Sequence, residues 1–144
     1  MDNKIVEGAN GQLHTNYEGK AQAAVDALTK EGYDFAYIHV EAPDEMGHQG
    51  SVERKVQAIE YLDERVIRYV KEAMDASGED YRMLILPDHP TPVDIGTHTR
   101  DDVPLVIYDS ACDGDECESF DEEGVKKGSL ECKKGHLLIS RLIS

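Results

Sequence analysis

The sequence predicts an α/β protein with a largely parallel sheet flanked by helices, and three observations carry that prediction. Two segments have helical periodicity and clear stop signals, three short runs are apolar and β-branched or aromatic, and the two kinds alternate along the chain. Strands joined through helices need crossover connections, which align them in parallel and cover both faces. Continuous apolar runs are then expected in place of polar and apolar alternation.

The first helix is expected over residues 19–31, which are rich in helix formers, place Ala23, Ala24, Ala27 and Leu28 on one face, and meet Gly32 as a stop. Residues 34–41, Asp-Phe-Ala-Tyr-Ile-His-Val-Glu, read as a buried strand with Pro43 just beyond. Ser51 offers a hydroxyl N-cap and Glu53 an acid in the first turn of a long amphipathic helix. Its apolar positions run from Val52, Val56 and Ile59 through Leu62, Val66, Ile67, Val70, Ala73 and Met74 to a stop near Ser77-Gly78. Residues 82–86 form a second expected strand, stopped by Pro87, and residues 104–108 a third. Residues 109–123 carry eight acidic side chains and two cysteines with little apolar content, and read as a solvated loop or insertion. Residues 137–143 close the chain as a helix or a strand, and periodicity does not decide between them.

At 144 residues and 40% hydrophobic, the chain is long enough to bury a core as a single domain over residues 1–144. Thirty acidic residues against fifteen basic ones give a formal charge of −15, which repels a polyanion and leaves no basic stripe, so nucleic acid is not expected as a partner. No apolar run approaches the ~18 residues of a transmembrane helix, and no signal-peptide hydrophobic region follows the start, so a cytoplasmic protein without a membrane partner is expected. Cys112, Cys117 and Cys132 are odd in number and lack a paired Cys-x-x-Cys spacing, which favours reduced thiols over a disulfide framework or zinc knuckle.

Five side chains with ligand chemistry follow expected strands, where open α/β sheets place their sites: Asp44, His48, Asp88, His89 and His98. Asp44 and His48 are four apart in Pro43-Asp44-Glu45-Met46-Gly47-His48, a spacing that puts both on one side of a helical turn. Asp88-His89 follow residues 82–86, and His98 lies in the loop Gly96-Thr97-His98-Thr99. Carboxylate with imidazole suits zinc, manganese and related divalent ions better than Ca²⁺ or a thiolate-bound metal. Two Asp and three His exceed what one catalytic ion needs, whereas two ions about 3.5–4 Å apart would clamp the attacking and leaving oxygens of a phosphoryl transfer. An isolated Asp-His pair after a strand is more often a loop hydrogen bond or a cap, so the argument rests on the set of five. His14, His39 and His136 read as loop, strand and surface residues.

The stretches Tyr33-Asp34-Phe35, His39-Val40-Glu41-Ala42-Pro43-Asp44-Glu45 with Gly47-His48, Leu86-Pro87-Asp88-His89-Pro90-Thr91-Pro92, and Thr97-His98-Thr99 resemble the cofactor-independent phosphoglycerate mutases, closest to the archaeal form. The resemblance runs from about Glu7, through Asn16-Tyr17-Glu18-Gly19-Lys20-Ala21, to the end of the sequence. It implies part of a three-layer α/β/α core of the alkaline phosphatase superfamily, and interconversion of 2- and 3-phosphoglycerate through a phosphoserine. It implies two divalent ions, manganese or zinc with magnesium as a further option: residues placed like Asp44, His48 and His98 hold one, and residues placed like Asp88 and His89 hold the other.

In that family the second ion also takes an Asp and the nucleophilic Ser near the N-terminus, and no serine here sits in that motif. The resemblance therefore implies the C-terminal, metal-binding portion of a larger enzyme. Its second site is incomplete and this chain contains no catalytic nucleophile and no organic-cofactor site, so the isolated chain is not expected to turn over. Phosphopentomutase-like, homoserine kinase-like and phosphatase relatives share the metal ligands and are alternatives, as is a non-catalytic metal-binding module. Apolar surface left by an absent portion makes a homo-oligomer a further expectation.

Overall fold

The structure, a computed structural model, describes residues 2–144. The chain forms two compact units, Met1–Glu79 with Thr91–Thr99, and Asp80–Pro90 with Arg100–Ser144.

The first unit is helical. Helix α1 (Tyr17–Thr29) begins two residues ahead of the start the sequence suggests, at an N-cap where Asn16 Oδ1 accepts from the Gly19 N–H at 2.9 Å. Tyr17, Ala21 and Val25 recur at four-residue spacing and are buried. Helix α2 (Ala42–His48) opens with Pro43 in its first turn, where the missing N–H costs nothing. Helix α3 (Val52–Leu62) starts with Ser51 Oγ accepting from the Arg54 N–H at 3.3 Å, runs through a π turn (Asp63–Ile67) into α4 (Arg68–Ser77), and ends at Gly78, whose φ of 75° is left-handed. The expected long helix is thus continuous, with one wider turn at its centre. That turn carries Arg65 to α1: its Nε and Nη2 donate to Glu18 at 2.5 and 2.8 Å, and its guanidinium lies 4.9 and 5.0 Å from the ring centroids of Tyr17 and Tyr61. Val66, Val70 and Met74 complete the buried face against α1, Ala58 of α3 is fully buried, and so are Met46 and Ala42 of α2, the helix that packs on α3.

Residues 34–41 differ from expectation: they form no β-ladder among the described residues. Burial still alternates with period two, with Ala36, Ile38 and Val40 half-buried and Phe35, Tyr37 and His39 exposed. The side-chain pattern of a strand is therefore present, but a ladder needs a neighbour's N–H and C=O groups, and a Lys20 ammonium caps the His39 carbonyl at 2.6 Å.

In the second unit β1 (Arg82–Ile85) and β2 (Val106–Asp109) pair antiparallel, with Arg82 opposite Asp109 and Ile85 opposite Val106. Both lie where strands were expected, but the segment between them contains no crossover helix, so the return path sets them antiparallel. The sheet has two strands among the described residues, so the fold is α/β with this small sheet. Residues 137–143 resolve as a helix, α5 (Leu138–Ile143), packed on β1. In the acidic segment Asp121 Oδ1 accepts from the Gly124 N–H at 2.7 Å and closes a local turn, while Asp115 Oδ2 accepts from the more distant Ser129 N–H at 2.7 Å. The three cysteines are free. No described helix is long and apolar enough to cross a membrane.

Candidate metal centre

Asp44 and His48 share a face of α2, and the segment Thr91–Thr99 of the same unit brings His98 to them. His48 Nε2 lies 3.1 Å from His98 Nε2 and 3.3 Å from Asp44 Oδ2, and His98 Nε2 lies 3.3 Å from Asp44 Oδ1. Among the described residues these three form a group able to hold a metal ion, each offering one ligand atom within 4.8 Å of the others.

Donor chemistry and spacing both fit a divalent ion. Ligand atoms of a tetrahedral ion with bonds of about 2.0–2.1 Å sit about 3.3–3.4 Å apart, and cis ligands of an octahedral ion at that bond length sit about 2.9 Å apart. The observed 3.1–3.3 Å falls between the two. His48 Nδ1 is 2.9 Å from the Gly96 carbonyl oxygen. That oxygen only accepts, so in the neutral ring Nδ1 carries the proton and Nε2 turns its lone pair toward a carboxylate oxygen and a second imidazole. Electron-rich atoms converge there, an arrangement that a cation between them satisfies. The Gly96 carbonyl is presented by a turn in which the Gly96 N–H donates to Pro92 O at 2.8 Å, with Gly96 at φ 68°.

The cluster opens to solvent: the side chains of Asp44, His48 and His98 are 29, 36 and 50% exposed. Three protein ligands with an open side is the arrangement of catalytic sites, which leave a position for water or substrate. Asp88 and His89 lie in the second unit, directly after β1, where the His89 N–H donates to Asp88 Oδ1 at 3.1 Å and His89 Nε2 lies 3.5 Å from Asp88 Oδ2.

Sequence reasoning did not single out three groups that hold this site: the Gly96 carbonyl, the Thr91 hydroxyl, which donates to Asp44 Oδ1 at 2.5 Å, and Lys55, which donates to Thr91 O at 2.5 Å. A backbone carbonyl leaves no mark on a sequence. Thr91 did have one, a hydroxyl between two prolines directly after Asp88-His89.

An α/β fold with one carboxylate and two imidazoles aimed at a common point defines the class, a metal-ligating protein. The chain belongs to the Metalloenzyme superfamily, whose family model matches residues 1–140. It is 50% identical to the 2,3-bisphosphoglycerate-independent phosphoglycerate mutase of Methanosarcina acetivorans over 96% of this chain and 34% of that one. It is 42% identical to a probable mutase of the same name from Geobacter sulfurreducens, over 96% of this chain and 34% of that one. A solved structure of a Pyrococcus horikoshii protein matches 99% of this chain and 42% of its own with a TM-score of 0.84 at 31% identity. The chain spans about a third of the length of the curated relatives it matches.

Proposed function

We propose that this chain carries metal-binding machinery of a cofactor-independent phosphoglycerate mutase, an isomerase that moves a phosphoryl group between the 2- and 3-hydroxyls of glycerate through a phosphoserine. Asp44, His48 and His98 hold one divalent ion, manganese or zinc, with magnesium compatible. Asp88 and His89 contribute to a second, whose remaining ligands and nucleophilic serine are not among this chain's residues. The observation that carries the reading is the convergence of His48 Nε2, His98 Nε2 and the Asp44 carboxylate at 3.1–3.3 Å, with the His48 tautomer set by Gly96. The names of the relatives support the substrate, a small phosphorylated acid.

Ions held by these residues would supply positive charge to offset the charge that develops on the transferring phosphoryl oxygens. Asp44 brings negative charge and the two imidazoles bring neutral donors, so the first site keeps a net positive charge toward a phosphate. The Gly96 carbonyl keeps His48 in the ligating tautomer, and the exposed side leaves room for the substrate oxygen. Residues 34–41, with their strand-like alternation, belong in the completed enzyme to a largely parallel sheet of a three-layer α/β/α core.

Isothermal titration of the chelator-stripped chain with Mn²⁺ and Zn²⁺ tests the first site. One saturable equivalent is expected, and His98→Ala is expected to weaken it by well over the ~10-fold of an outer-layer change. An unchanged affinity in His98→Ala removes His98 from the ligand set, and no saturable binding by the parent chain overturns the metal reading.

A further inference from the structure

Beside the three ligands sits a buried polar side chain that binding alone does not require. Thr91 is 3% exposed, and its hydroxyl lies 2.5 Å from Asp44 Oδ1, an oxygen of one of the three ligands. An ionised carboxylate only accepts, so the Thr91 O–H donates. The donor is itself fixed. Lys55 of α3 holds the Thr91 carbonyl at 2.5 Å, and Gly47 of α2 lets that carbonyl come in where a Cβ would stand 2.6 Å away. Pro92 restricts the Thr91 backbone to extended conformations.

We propose that Thr91 is a positioning residue for the metal site, acting through Asp44 and held in turn by Lys55. The inference rests on the metal reading above. The terminal torsion of an aspartate is broad, so an unrestrained carboxylate can rotate both oxygens away from a common point. Here the hydroxyl on Oδ1 fixes the carboxylate plane, which leaves Oδ1 facing His98 Nε2 and Oδ2 facing His48 Nε2, each at 3.3 Å. Thr91 does for Asp44 what the Gly96 carbonyl does for His48: each ligand arrives already oriented, so less ordering is left to the binding step.

Co²⁺ is the probe, because its visible bands report coordination geometry as well as occupancy. Titrations of the chelator-stripped parent chain, Thr91→Val and Thr91→Ser are compared, with melting curves of the metal-free proteins alongside. Thr91→Val keeps the shape and removes the donor; it is expected to weaken Co²⁺ binding about 10- to 100-fold and to change the band pattern. Thr91→Ser restores the donor and is expected to return both affinity and bands to those of the parent. If Thr91→Val does not fold, Lys55→Met, which releases the Thr91 carbonyl and leaves the hydroxyl in place, is expected to shift the same two readouts in the same direction. Parent-like affinity and bands in the folded Thr91→Val, or failure of Thr91→Ser to restore them, overturn the positioning role while the metal site stands. A parent chain that takes up no Co²⁺ overturns the metal reading itself, and this inference with it.

Discussion

Gly47 sits between two ligands of the proposed site, and opposing effects act on its replacement. Inside a helix, alanine is favoured over glycine by about 0.8–1.0 kcal/mol, so Gly47→Ala gains local propensity. The new Cβ would stand 2.6 Å from the Thr91 carbonyl oxygen and 3.1 Å from Lys55 Nζ, and the first of these is backbone that cannot swing aside. Overpacking of this kind costs about 1–3 kcal/mol, which outweighs the propensity gain. Gly47→Ala is therefore expected to lower the melting temperature of the metal-free chain and to weaken Mn²⁺ binding together, read by a thermal melt and a titration. A variant as stable as the parent with full affinity would show that the α2 contact with Thr91 is loose. The same residues show what a sequence reveals of a site. The grouping of Asp44 with His48 was legible because four-residue spacing puts both on one side of a helical turn, and His98 was singled out as an imidazole in a loop that follows an expected strand. Gly96, Thr91 and Lys55 were not, since their parts are played by two carbonyls and a hydroxyl whose partners lie far away in sequence, 48, 47 and 36 residues off.

The long second helix was legible from residue 51 to the Gly78 stop, whereas the π turn at its centre was not, because one wider turn shifts the apolar stripe too little to break a helical pattern. That turn matters because it delivers Arg65 to Glu18 and to the rings of Tyr17 and Tyr61. The hydrogen bonds from Arg65 hold the Glu18 carboxyl below its ordinary range. Near that range the native state therefore binds fewer protons than the unfolded chain. The contribution is complete above the unfolded value of about 4.3 and is lost as pH falls through the depressed native value. The Glu18 side chain is 51% exposed, so screening limits the pair to below about 1 kcal/mol. Glu18→Gln is expected to lower the melting temperature at pH 7 by no more than about 4 °C, with the gap to the parent closing on acidification below the native Glu18 value. Melts followed by circular dichroism across that pH range check it; a gap that persists in acid assigns the loss to packing over Tyr17 and Tyr61 instead of to charge.

An α/β composition was readable from alternating periodicities, but strand pairing was not, because a strand's partner is a property of the whole molecule. The second and third expected strands became the antiparallel pair β1 and β2, over Arg82–Ile85 and Val106–Asp109, while residues 34–41 keep the alternation of a strand without a ladder. Two compact units also make the location of a bound ion measurable. If Asp44, His48 and His98 form the first site, all three ligands belong to the unit Met1–Glu79 with Thr91–Thr99. An ion that binds only the folded state at about 100 times its dissociation constant adds about 2.7 kcal/mol to the stability of what it binds. Hydrogen exchange with one equivalent of Mn²⁺ is then expected to slow in α2 and in the Pro92 to Gly96 turn, whose Gly96 carbonyl holds His48, and to leave the β1 and β2 amides as they were. Slowing around Asp88 and His89 with α2 unchanged would assign the first ion to that pair, and the roles proposed for His98 and Thr91 would fall together.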